Sequence, residues 1–550
     1  AGGWPSYLQP LIRDRRVTCL HTGHAGPLLW VAAERLPHLK SVFPEASLEP
    51  DINPPDSAAS LSPSFEDSLV EVLRGRMEAI GPVTALQLSQ SLALPVSQID
   101  RALTSLEAEG FVMRGRFTPG VPDIEWCVRR LLSRIHSYTL NRLRKEIEPV
   151  ATTDFIRFLL DWQGVSPDHQ AEGAESLAAS IEQLEGFEAP AAAWESELLI
   201  ARLIEYEPEW LDALCLSGRV AWARLTPPKP VVERSRGASP IKNTPITLIT
   251  RRNIPAWNSI TLSSATHSGL SVIAGQVYDH LASNGASFFH DLIDGTRLLR
   301  SQVEDGLAEL VAHGLVTADS FAGLRALLAP SNKRGGSTAK RRGAMLASME
   351  HAGRWSKIRR QAEEPPKPTE APAAPRLAPV PRGADASAEH IERIARTYLR
   401  RYGVVARKIL DREGITPPWR DLLRVYRRLE ARGEIRGGRF IASLSGEQFA
   451  LPEAIGMLRT VRRSAETGQL ISVSAADPLN LIGIVTPGAR VTSLSSNRIL
   501  YRDGEPIATL EAGNVNFLVE LSPAAQWEAK SALVRRKGPP ELRVYLGESA

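Results

Sequence analysis

Four arginines, Arg420, Arg424, Arg427 and Arg428, are spaced to share one face of an α-helix. Leu422, Tyr426 and Leu429 fall on another face. A guanidinium offers a planar fork of donors that fits phosphate oxygens and base edges. The pattern therefore suits a helix held down by its apolar side while its basic side grips a polyanion. Arg436 and Arg439 follow, around Gly437-Gly438, a pair expected to permit a tight hairpin. The competing reading is a solvated basic stripe, with Glu430 close by. Arg114 and Arg116 make a smaller basic hairpin, and a basic helix over 128–147 carries Arg130 and Arg134. These ten arginines are the expected nucleic-acid contacts.

Motifs for bond-making chemistry are missing from the sequence. No G-x-x-x-x-G-K-[ST] loop, H-E-x-x-H pair or G-x-S-x-G elbow occurs. The eleven histidines are scattered, and Cys19, Cys127 and Cys215 lie far apart. That spacing argues against a zinc ribbon or disulfide framework and suits a reducing, cytoplasmic setting. Asp477 and Asp503 sit in turn-like contexts and are expected to cap or close β-turns. Eleven tryptophans are present. Trp126, Trp194, Trp210, Trp222 and Trp419 fit core anchoring between modules better than stacking on single-stranded bases.

What must position these side chains is a recurring pattern. Leu103, Leu106, Gly110 and Val112 return as Leu307, Leu310, Gly314 and Val316, and again as Tyr426, Leu429, Gly433 and Ile435. Weaker copies read Leu211, Leu214, Gly218, Val220 and Leu8, Leu11, Arg15, Val17. Apolar residues at helical spacing, a glycine stop and a strand form the last part of a winged helix-turn-helix. The fold class expected is α+β, mainly α: a tandem array of about five winged-helix modules followed by a small β-barrel.

At 550 residues the chain exceeds one core. Its net charge of +4 is small, so polyanion binding must come from local patches. The expected divisions are 1–43, the end of a winged helix; 64–127, 128–227 and 244–330, three complete modules; 331–388, a basic and Pro/Ala-rich disordered linker in which Trp355 and Ile358 could dock locally; 389–462, a further module; and 468–550, the β-rich tail. Residues 44–64 read as a linker. No apolar run reaches the length of a membrane span. The opening Ala-Gly-Gly, leading into what reads as a last module helix, suggests a piece of a longer chain.

Several runs resemble the C-terminal region of the large helicase-related protein (Lhr) family of bacteria. They include Arg401-Tyr402-Gly403-Val404-Val405 and residues 134–144, 148–150, 214–222, 417–429, 438–441, 445–453 and 476–481. The likeness covers almost the whole chain outside 331–388. It implies an upstream ATPase core, absent from this sequence, that holds ATP and magnesium. It also implies an ATP-dependent 3′-to-5′ helicase acting on DNA and RNA–DNA duplexes in DNA repair. This region would then bind DNA, single-stranded or forked, and assemble into a homo-oligomer, with no cofactor of its own and a nucleoid-associated location. A looser resemblance, to winged-helix DNA glycosylases, implies a uracil glycosylase with a carboxylate close to the C-terminus. Glu541 and Glu548 are the residues available for that role.

Overall fold

The computed structural model describes residues 4–22, 27–145, 147–226, 241–261, 269–329, 349–358 and 384–535. Two compact units divide the chain, 1–143 and 144–550.

The repeat seen in the sequence is a repeated helix stop. The residue after each third helix takes a left-handed backbone: Gly110 (φ 74°), Gly218 (75°), Gly314 (68°), Gly433 (76°) and, without glycine, Arg15 (56°). The next amide then bonds back five residues. Phe111 N donates to Leu106 O (2.9 Å), Arg219 N to Leu214 O (3.1 Å), Leu315 N to Leu310 O (3.0 Å), Glu434 N to Leu429 O (3.0 Å) and Arg16 N to Leu11 O (2.9 Å). This is the Schellman closure, which satisfies orphan carbonyls and turns the chain into a strand.

In the unit 1–143, helices Phe65–Glu78, Ala85–Leu92 and Val96–Ala108 pack around Leu73, Leu88, Leu103 and Leu106. Strand Val83–Thr84 lies between the first two helices, and Glu125–Val128 pairs with both it and Val112–Gly115. The N-terminal hairpin, Val17–His21 with Leu28–Ala32, forms as expected. The 44–64 stretch is not only linker: its Ser47–Glu49 pairs with Cys19–His21 as a third strand.

The same order of helix, strand, two further helical segments and two strands, with the last strand central, occurs three times in the unit 144–550. One copy runs from helix Ala174–Leu184 to strand Pro245–Thr250. That final strand pairs with Val220–Ala223 and with Ala189–Pro190, so it closes this module rather than opening the 244–330 module. The next copy begins at helix Val272–Asn284, and its central strand is Arg354–Lys357, from within the supposed linker. Trp355 on that strand is fully buried, edge-on to Trp222 at 6.1 Å. The strand was hard to foresee because its other side chains are polar and helix Phe321–Leu328 intervenes. The last copy starts with helix Ala384–Tyr402, also inside the expected linker, and ends with strand Gln448–Ala450. Its middle helix is reduced to the 3-10 turn Ile409–Arg412.

The tail is an open antiparallel meander, not a closed barrel, among the described residues. Its order is Leu470–Ser474, Arg498–Arg502, Glu505–Glu511, Asn514–Phe517, with helix Pro523–Val534 laid against it. Within the tail, residues 483–485 form a turn rather than a strand. Leu481 and Ile482 are buried there, and the Asn480 amide bridges Ala475 O and Val491 O. Buried apolar residues of the tail share one core with helix Thr152–Trp162 and the last module.

Buried ion pairs fasten these parts. Arg202 donates to both carboxylate oxygens of Asp477 (2.7 and 3.0 Å), Arg325 to both of Glu195 (2.8 and 2.9 Å), and Arg498 pairs with Glu197. Asp477 also accepts from Leu479 N, so it closes its turn as expected but is chiefly the counter-ion of Arg202. Asp503 keeps the simpler role, accepting from the Thr467 and Gly468 amides (3.1 and 2.8 Å).

Candidate nucleic-acid interface

Helix Trp419–Ala431 is built to be anchored on one side only. Pro417-Pro418 precedes it, which keeps the preceding backbone extended and lets the helix begin cleanly. Leu422, Val425, Tyr426 and Leu429 are buried at helical spacing. Tyr426 stacks on Phe449 of the wing strand at 5.3 Å and donates to Ala395 O (3.2 Å). The opposite face is open: Arg420, Arg424, Arg427 and Arg428 expose 78, 70, 58 and 48% of their side chains.

These four arginines have local carboxylate partners. Asp421 lies 3.7 Å from Arg420 and 3.2 Å from Arg424. Glu447 of the wing meets Arg427 at 2.6 Å, and Glu392 meets Arg428 at 3.3 Å. Exposed pairs of this kind are worth about 0–1 kcal/mol each, so a phosphate can displace them at little cost. Glu392 is shared among Arg396, Arg428 and Arg432. Burial pushes its carboxyl up, but hydrogen bonds and charge from Arg396 and Arg432 outweigh that and hold it below the usual carboxylate range. Such a group lends stability above its unfolded pKa and loses it as pH falls through the folded one. At neutral pH it is therefore charged and masks Arg428. Replacing Glu392 by Gln should raise affinity for single-stranded DNA about threefold, with at most about 1 kcal/mol lost from stability. Fluorescence anisotropy and a urea melt would check this; an unchanged or weaker affinity would show that Glu392 masks nothing.

Glu430 is not part of the exposed stripe. It is buried, where it accepts a fork from Arg144 and a bond from Gly437 N (3.1 Å). This corrects the role expected of Gly437-Gly438. Neither is among the residues with a left-handed backbone. A Cβ at Gly437 would collide with the Glu430 carboxylate, and one at Gly438 with Ile147. The two glycines make room for side chains; the left-handed backbone of the wing loop falls at Gly446 (φ 86°). Arg436 is exposed with no ion pair among the described residues, and Arg439 donates to Ala442 O (2.7 Å).

Four of the ten expected arginines lie outside the unit 144–550. Arg114, paired with Glu107 at 3.3 Å, and the exposed Arg116, Arg130 and Arg134 belong to the other unit. The remaining third helices lack a comparable face. Val96–Ala108 has Arg101 alone, Pro208–Leu216 has no cation, and in Arg300–Ala312 the single arginine pairs with Glu304 at 3.2 Å. Of the tryptophans, Trp194 and Trp222 are fully buried, their ring N–H groups donating to Ile246 O (2.8 Å) and Ser320 O (3.0 Å). Trp126 is also buried, while Trp210 and Trp419 are half-buried at core edges. Core anchoring is thus what these residues do. Glu541 and Glu548 lie outside the described residues. Among the described residues no cluster of His, Cys, Asp and Glu could hold a metal, and no helix is long and apolar enough to cross a membrane.

Three helices, a small sheet with its last strand central, and a third helix opposite a wing define a protein made of winged-helix domains. Two family models, each described as "Large helicase-related protein, winged-helix domain", match residues 150–250 and 384–470. These two stretches are similar to winged-helix domains of the large helicase-related (Lhr) family. It is 26% identical over 533 residues to an "Lhr helicase/probable uracil glycosylase" of Mycolicibacterium smegmatis, a match covering 94% of this chain and 33% of that protein. It is 27% identical over 514 residues to an "Lhr helicase/uracil glycosylase" of Escherichia coli, covering 85% and 31%. The chain thus spans about a third of the length of these relatives. Among solved structures it is similar to the Streptomyces sahachiroi DNA glycosylase AlkZ, with a TM-score of 0.39, 12% identity, and coverage of 73% of this chain and 98% of that one.

Proposed function

We propose that this chain is the nucleic-acid-binding and assembly region of an ATP-dependent 3′-to-5′ helicase acting on DNA and RNA–DNA duplexes in repair. ATP and magnesium would be handled by an upstream core of the same polypeptide. The observation that carries the reading is the open arginine face of helix Trp419–Ala431, on the helix that winged helices lay on nucleic acid. The other third helices lack such a face, so the array as a whole serves as scaffold while the last module binds. Titration of the whole chain into labelled single-stranded and forked DNA tests this. Affinity should fall steeply with salt, as counterion release requires. No binding at micromolar protein in low salt would end the reading.

Assembly is the second half of the proposal. The outer tail strand Asn514–Phe517 has an unpaired edge among the described residues. Trp527 and Leu518, nearby in sequence, are exposed. An open edge beside apolar surface favours a partner strand or a closed symmetric contact. Light scattering on the intact chain should give a homo-oligomer; a monomer at micromolar concentration would contradict it. Deleting the tail is not a clean test, because Asp477 would leave with it and strand Arg202 in the core.

The names of the two relatives favour a second reading, uracil DNA glycosylase. Its catalytic carboxylate would be Glu541 or Glu548. Incubation with uracil-containing single-stranded DNA followed by alkali should then cut the strand, and Glu541→Gln or Glu548→Gln should abolish cutting. No cleavage at high protein concentration would exclude it.

A further inference from the structure

A cleft of about 430 Å³ opens on the wing side of the last module. Phe440 and Leu458 line it together with Glu148, Arg459, Arg462 and Arg463. The three arginines sit at i, i+3 and i+4 on helix Pro452–Arg463, so they share a face. All three are exposed. Arg462 is met by Glu148 at 2.8 Å, whereas Arg459 and Arg463 have no ion pair among the described residues. Like charges four residues apart on a helix repel. Attraction to the helix C-terminus offsets this for Arg462 and Arg463, in the last turn, but not for Arg459 one turn earlier. Phe440 ties the cleft to the wing. It directly follows Arg439, and its carbonyl accepts from Val150 N (2.7 Å).

From this we infer that the cleft is an anion site for backbone phosphates of single-stranded nucleic acid, continuing the track of helix Trp419–Ala431 past Arg436 and Arg439. The inference rests on the proposed function for placing nucleic acid on this module. Its ligand chemistry is a phosphodiester, held by two unneutralised guanidiniums over an apolar floor. No base reading is implied, so the site adds affinity without sequence preference.

The test is anisotropy of a labelled mixed-sequence single-stranded oligonucleotide, titrated at several salt concentrations with the intact chain. Arg459→Ala with Arg463→Ala should weaken binding about tenfold. It should also reduce the slope of log affinity against log salt by about 1.4, or 0.7 for each lost phosphate. The paired Lys variants should keep the slope, since charge rather than shape carries it. An unaltered slope in the Ala pair would overturn the site. The paired Gln variants guard against a folding artefact: the same slope loss with an unchanged melting midpoint supports the site, and a wild-type slope refutes it. The Arg424, Arg427 and Arg428 variants, measured alongside, separate the two ideas. If only they lose affinity, the cleft fails and the proposed function stands. If only the cleft pair loses affinity, the cleft stands and the helix reading fails.

Discussion

Arg325→Ala is expected to destabilise the unit 144–550 by about 3–5 kcal/mol, the usual cost of stripping one partner from a buried charge network. Arg325 has no exposed side-chain surface. It forks onto Glu195 at 2.8 and 2.9 Å and reaches Asp212 at 2.9 Å, while Tyr206 donates to Glu195 at 2.8 Å. Glu195 and Asp212 belong to one module, whereas Arg325 sits in the helix after the third helix of the next. Its loss leaves two carboxylates in apolar surroundings. Burial already pushes the Asp212 carboxyl up against the opposing charge of Arg325. Without the arginine it rises further. A carboxyl raised on folding lends stability at low pH and loses it as pH climbs through the folded value. The variant should therefore be less impaired at pH 5 than at pH 8. Urea melts at both pH values would show it; an equal and small loss at both would mean that the network is not buried as described.

The largest functional effect is expected from replacing Arg424, Arg427 and Arg428 together by Ala. Each is exposed and held only by surface pairs, so the fold should be nearly unaffected. Each lost phosphate contact should remove roughly 0.7–1 unit of salt slope, so the triple variant should lose about two to three units. Affinity for single-stranded DNA near physiological salt should drop about a hundredfold. The same substitution of Arg101 and Arg300, on third helices without a basic face, should change binding less than twofold. Equal losses from both sets would mean that binding is spread over the array.

Local features were legible in the sequence. The spacing of Leu429 and Gly433 predicts a helix stop, and all five copies of the pattern close it with the same backbone bond, because it is fixed within six residues. Apolar spacing at Leu422, Tyr426 and Leu429 likewise predicts which side of that helix is buried and which stays open. What was not legible depends on contacts far along the chain. Asp477 reads as a turn residue until Arg202 arrives from 275 positions away. Glu430 reads as a neighbour of the stripe until Arg144, 286 positions away, turns it inward. Arg354–Lys357 alternates too weakly to announce a strand, and only the gap between Ser287–Phe288 and Val316–Ala318 defines its place. The small β-barrel expected of the tail is instead an open four-stranded sheet among the described residues, and the apolar residues Leu481 and Ile482 are buried beside a turn rather than in a strand. The cleft at Arg459 was missed because its wall at Ile147 and Glu148 comes from a distant part of the chain.

The central claim is that the last module is where nucleic acid lies. Photo-cross-linking of the intact chain to single-stranded DNA carrying bromodeoxyuridine, followed by peptide mass spectrometry, tests it most directly. Cross-links are predicted within Trp419–Ala431 and the wing between Arg436 and Gln448, and none within Pro208–Leu216 or Arg300–Ala312. Cross-links confined to those two helices or to residues 1–143, with none on the last module, would contradict it.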